Sequence, residues 1–207
     1  MPEPPFTAAI RWEAVGPLLL ASAALMGSPG PVTLSLVAAS SVYGLRRSLP
    51  YLLGTIVGTM TVLVAVATGI TVALLTVPVV GSVLIAISVG YILWLAYHVA
   101  TAAPLSEQIT SSDAPGFGGG ALLGVANPKG WVAIAAVFAS AHLAETATND
   151  AIAKIAVLSL MIVVICVTWV VAGRSLAVVL RDPRRSRVVN VTLAMVLIGA
   201  TAIAVLD

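Results

Sequence analysis

A chain of 207 residues with 60% hydrophobic side chains and only 9% charged ones is no ordinary soluble domain, because globular proteins carry about 25% charge. The net charge of +2 resides in bases scattered between apolar runs, which argues against a nucleic-acid surface and for membrane topology signals. One cysteine and no Cys/His ligand spacing exclude a disulfide framework, a dithiol relay and a zinc site.

Six apolar segments follow in order, at 14–42, 49–77, 79–103, 121–143, 151–172 and 188–206. Each is near or above the roughly 20 residues that cross ~30 Å of hydrocarbon. The first follows Arg11 and contains Ala21-Ser22-Ala23, which imitates a signal cleavage site. Its apolar character continues to Val42, so an uncleaved helix is expected. Ser28-Pro29-Gly30-Pro31 interrupts that helix. Proline lacks an N–H and clashes with the preceding turn, so Pro29 and Pro31 should free the carbonyls of Leu25 and Gly27. Gly30 followed by Pro31 also reads as a weak fresh helix start.

Along the first two segments, Thr33, Ser35, Ser40, Thr55, Thr59 and Thr61 could line a path or bond their own helix. Gly54 and Gly58 form a small-xxx-small face suited to close helix packing. In the third segment Tyr91, Trp94, Tyr97 and His98 read as an interfacial belt, as does His142 at the end of the fourth. Between them, 104–120 is rich in Gly, Ser and Pro and reads as a linker.

The fourth segment is broken by Asn127-Pro128-Lys129-Gly130. Pro128 should free the Gly124 carbonyl, with Asn127 as N-cap and Pro128 at the first helical position. Lys129 is a cation inside an apolar span, which costs at least ~2.5–3.5 kcal/mol. It either faces a wet cavity, reinforcing a positive site, or snorkels to the interface. Cys166, in the fifth segment, reads as a packing residue. All the carboxylates fall in loops or at segment ends, so no buried acid is expected as a proton relay.

Loop charge sets an orientation. Arg46, Arg47, Arg174, Arg181, Arg184, Arg185 and Arg187 fall on one side, against Arg11 and Lys154 on the other. The richer side should be cytoplasmic, with both termini outside. Segments 1–3 and 4–6 then form two inverted three-helix repeats, about 12–103 and 119–207 joined by a linker at 104–118, each opening on a broken helix. The expected fold is thus an all-α integral membrane domain of six transmembrane helices. Corresponding broken helices mark the binding site of a secondary transporter. Their half-helix N-termini suit a carboxylate near mid-membrane.

The chain resembles the small amino-acid exporters of the LysE/RhtB family. The resemblance runs through Ser28-Pro29-Gly30-Pro31 with Thr33-Leu34, the Gly54/Gly58 pair and Gly90-Tyr91-Ile92-Leu93-Trp94-Leu95. It continues through Asn127-Pro128-Lys129-Gly130-Trp131 and the Arg187/Asn190/Gly199 pattern. It implies export of amino acids or similar small metabolites across the bacterial plasma membrane, by antiport against an ion gradient. Val32 stands where the family usually has Asn, and Thr59 where many members have an acid. Ala139-Ser140-Ala141 replaces the Pro-Phe often found near the end of the fourth span.

The reading is therefore a multi-pass secondary transporter working by alternating access, without enzymatic activity, metal or cofactor. Its expected partners are a small zwitterionic or anionic substrate and the lipid bilayer, with room for a homo-oligomer and no nucleic acid. Ser28, Pro29, Gly30, Pro31, Thr33, Thr59, Asn127, Pro128 and Lys129 are the expected substrate-binding residues. The alternative is a non-transporting membrane component that helps assemble or address envelope lipid.

Overall fold

A computed structural model describes residues 10–69, 78–101, 114–177, 187–189, 191–192, 194–196, 198–199 and 202. Among them there are helices and no strands. In chain order these are α1 (Trp12–Leu25), α2 (Pro31–Tyr43), α3 (Leu45–Ala67), α4 (Pro78–Thr101), α5 (Phe117–Ala126), α6 (Pro128–Ala139) and α7 (Ala147–Ala177). A short apolar helix at Arg187–Val196 follows. The end of the second apolar segment (70–77), most of the linker (102–113), Arg181, Arg184, Arg185 and Asn190 lie outside the described residues.

Among the described residues, Leu45–Ala67 and Ala147–Ser175 are each long and apolar enough to cross a membrane by themselves. α5 and α6 make a third span if taken together, bent by 60° at Asn127. Within the most apolar window of the α7 span only 22% of residues are buried. Leu160, Val164 and Val171 face outward from that helix, and Leu49, Leu53 and Val57 from α3. Such an apolar exterior suits lipid, since soluble monomers rarely expose large contiguous apolar patches.

α2 is the central element, with every residue except Leu34 buried. A helix enclosed on all sides must satisfy its polar side chains internally. Ser35, Ser40 and Ser41 do so by donating to the Val32, Val37 and Ala38 carbonyls at 2.7, 3.2 and 3.0 Å. Thr55, Thr59 and Thr61 likewise bond the carbonyl four residues earlier.

The most extensive helix pairing joins α3 to α5. It relies on missing side chains. A Cβ at Gly54 would strike the Phe117 carbonyl, and one at Gly58 the Ala121 carbonyl. Gly120 and Gly124 return the relationship against the backbone of α3. Small residues let the two backbones touch where the hydrophobic effect gives no help between helices. α7 approaches α2 in the same way, with Gly173 against Ser40 and Val37.

Lys154 requires a correction. Its sequence position suggests a loop charge that sets orientation, but it lies within α7 and is only 2% exposed. Its ammonium sits 2.7 Å from Asp150 and 4.9 Å from the centroid of the Phe138 ring. A nearby carboxylate and an aromatic face replace the water it has lost.

Candidate functional site

The first break lies between α1 and α2. Met26 closes α1, and the chain reaches Pro31 through Gly30 in an extended conformation. Glycine offers no capping side chain, so the helix is capped from inside. The Gly30 N–H donates to the Thr33 hydroxyl at 2.8 Å, which lies 3.1 Å from the Gly30 carbonyl. This is half of a capping box, with threonine in the place of Glu or Gln.

Both carbonyls expected to be freed here have found donors. The Ser28 hydroxyl donates to the Leu25 carbonyl at 2.9 Å. The Trp169 indole, on α7, donates to the Gly27 carbonyl at 3.1 Å. A buried carbonyl without a partner is costly, so these contacts make the break tolerable.

The second break centres on Asn127. Its carbonyl accepts from the Gly130 and Trp131 N–H groups at 3.0 and 3.4 Å. Asn127 occupies the N-cap position of α6, but its side chain makes no capping bond. The residue is 7% exposed and its Oδ1 is buried with no hydrogen-bond partner. The Trp131 indole turns back across the bend to the Val125 carbonyl at 2.6 Å.

The two breaks meet through Lys129. Its Nζ lies 2.9 Å from the Ser28 carbonyl, 2.7 Å from the Ser28 hydroxyl and 2.7 Å from the Pro29 carbonyl. A lysine ammonium has three donors, and these oxygens can accept all of them. Gly30 leaves room for the stem, since a Cβ there would lie 2.8 Å from Lys129 Cδ.

Beside this bridge is a narrow, half-open cleft. Ser28, Gly30, Thr33, Thr59, Asn127 and Lys129 line it, as do Val32 and Gly130. Thus the structure gathers six of the nine expected site residues around one space. Pro29 contributes its carbonyl to Lys129, while Pro31 and Pro128 are the first residues of α2 and α6.

The apolar wall was not singled out from the sequence. It consists of Leu25, Met26, Ala133, Ile134, Ile162, Ile165 and Cys166. Ile162, Ile165 and Cys166 share one face of α7 by their i, i+3, i+4 spacing, which is the signal that could have found them. Nothing in the sequence pairs Trp169 with Gly27.

A second polar cluster caps the far end of α6. One Asp150 oxygen accepts from the Leu143 and Ala144 N–H groups at 2.5 and 3.4 Å. The other faces Lys154 at 2.7 Å and His142 at 3.6 Å. Asp150 is at a helix end as expected, yet buried, at 8% exposure. Its oxygens are fully engaged in holding the α6–α7 connection.

A family model described as LysE type translocator matches residues 23–206, a span that includes both breaks and every residue lining the cleft. No curated protein and no solved structure matches the chain.

Proposed function

The chain belongs to the LysE type translocator family and is a membrane protein, and on that premise we propose that it exports amino acids or similar small zwitterionic or anionic metabolites. Transport proceeds by alternating access at the cleft between the breaks. The observation that carries this reading is the direct contact of the two breaks, Lys129 on Ser28 and Pro29, across about a hundred residues of sequence.

The passenger's carboxylate lies between the N-termini of α2 and α6. The positive ends of both helix dipoles, and the Lys129 ammonium beside them, favour an anion there. Ser28, Gly30, Thr33, Thr59, Asn127 and Lys129 surround the passenger as a whole, with Pro29, Pro31 and Pro128 fixing the breaks. The apolar wall of Leu25, Met26, Ile134 and Ile162 receives the passenger's side chain. Regions 12–103 and 119–207 act as inverted repeats that rock about this site, with 104–118 as their linker. The protein sits in the plasma membrane with both termini extracytoplasmic.

Flux measurement tests this directly. Purified protein in proteoliposomes should carry at least one radiolabelled amino acid saturably, and an outward gradient should be dissipated faster than in empty vesicles. Imposing a pH gradient separates coupled from uncoupled flux. No flux for any amino acid or related metabolite would remove the export reading. If cells lacking the protein then misplaced envelope lipid, the assembly role would replace it.

A further inference from the structure

The first break presents oxygens, not N–H groups, to the group that occupies it. Ser28 supplies its carbonyl and hydroxyl, and Pro29 its carbonyl, all within 2.7–2.9 Å of one nitrogen. These are hydrogen-bond lengths for a charged donor, longer than the roughly 2.0–2.6 Å of hard divalent cations on oxygen. Among the described residues no carboxylate lines the cleft, so a divalent ion finds no charge there to hold it. A quaternary ammonium has no N–H to donate. The geometry is that of a cage for a primary ammonium.

Lys129 fills that cage from the opposite break. Asn127, beside it in the lining, keeps a buried Oδ1 with no donor. The cleft therefore holds one cation-binding cage already taken by the protein's own side chain and one acceptor still unmet.

We infer that Ser28 and Pro29 form the subsite for the passenger's primary ammonium, and that Lys129 is a tethered stand-in which the passenger displaces. This rests on the transport reading above and adds an orientation and a gate to it. With the cleft empty, Lys129 ties the second break to the first and holds the cleft narrow. An arriving ammonium takes over the Ser28 and Pro29 oxygens. The released Lys129 ammonium turns to the carboxylate of the same passenger, and the tie between the breaks is exchanged for the passenger itself. A ligand shifts such an equilibrium only through unequal affinity for the two states, and the displaced cage supplies that difference. A passenger with a carboxylate but no ammonium cannot make the exchange.

The native thiol reports on it. Cys166 is the only cysteine, lines the same cleft and is 4% exposed. The rate of its modification by neutral methyl methanethiosulfonate measures opening. The whole protein in proteoliposomes is compared in methylammonium, sodium and tetramethylammonium chloride at equal ionic strength. Methylammonium should accelerate modification severalfold over both other salts. In Lys129→Met the rate should be high in all three, because the stand-in is gone. Equal rates in the three salts for the unaltered chain would overturn the inference, and so would sodium matching methylammonium. The salt comparison needs no variant, so poor folding of Lys129→Met leaves it decisive. Because labelling is read without flux, a chain that labels as expected but carries no amino acid loses the export reading alone. Flux with salt-independent labelling does the reverse.

Discussion

Lys129→Met should lower passenger flux by about tenfold to a hundredfold at unchanged membrane abundance. The methionine keeps an apolar stem of similar length and removes the ammonium. In the account above that ammonium makes charge-assisted hydrogen bonds, first to Ser28 and Pro29 and then to the passenger's carboxylate. A hydrogen bond to a charged group contributes roughly 1.5–3 kcal/mol, and every 1.4 kcal/mol is about a factor of ten. Initial rates in proteoliposomes at matched protein density provide the measurement. Full activity would reduce Lys129 to a structural strut. Lys129→Arg should be only a partial substitute. Its planar fork matches a carboxylate well but does not reproduce a compact ammonium on three converging oxygens.

Asp150→Ala should destabilise the protein by about 3–5 kcal/mol, as breaking a buried ion pair typically does. The variant strands the Lys154 ammonium, which is 2% exposed, and leaves the Leu143 and Ala144 N–H groups without their acceptor. Lys154→Met should be milder, because Asp150 keeps its two backbone donors and the thioether can pack on Phe138. Combining Asp150→Ala with Lys154→Met should recover part of the loss, since no unpaired charge then remains. Thermal unfolding of the three variants in detergent checks the order. If Asp150→Ala melted with the unaltered protein, the pair would not be holding the α6–α7 connection.

The breaks were legible in the sequence because proline and glycine chemistry is local. α2 starts at Pro31 and α6 at Pro128, each at the proline expected to open a new helix. Gly54 and Gly58 were likewise legible as a packing face, since adjacent turns of small residues have few other uses in an apolar helix. The partners of the freed carbonyls were not. Trp169 reaches Gly27 across 142 residues, and Lys129 reaches Ser28 across 101. Such pairings belong to tertiary structure and leave no periodic trace.

Lys129 shows the limit most clearly. A lysine next to a helix start reads as a positive group awaiting an anion. The structure gives it to carbonyl oxygens of the opposite break, so part of the site is electronegative where helix dipoles alone suggested the reverse. Lys154 misleads for a related reason. A base shortly after a broken segment looks like a topology signal until an acid one turn earlier is seen to draw it inside.

The central claim is that two breaks enclose one water-reachable site that opens to each side of the membrane in turn. Ser28→Cys and Gly130→Cys, in a Cys166→Ser background, test it most directly. Each thiol should react with a membrane-impermeant reagent in both right-side-out and inside-out vesicles, and a short bifunctional reagent should link the pair. Thiols that stay unreactive from both faces and never join would mean the breaks enclose packed protein, and the carrier account would be wrong.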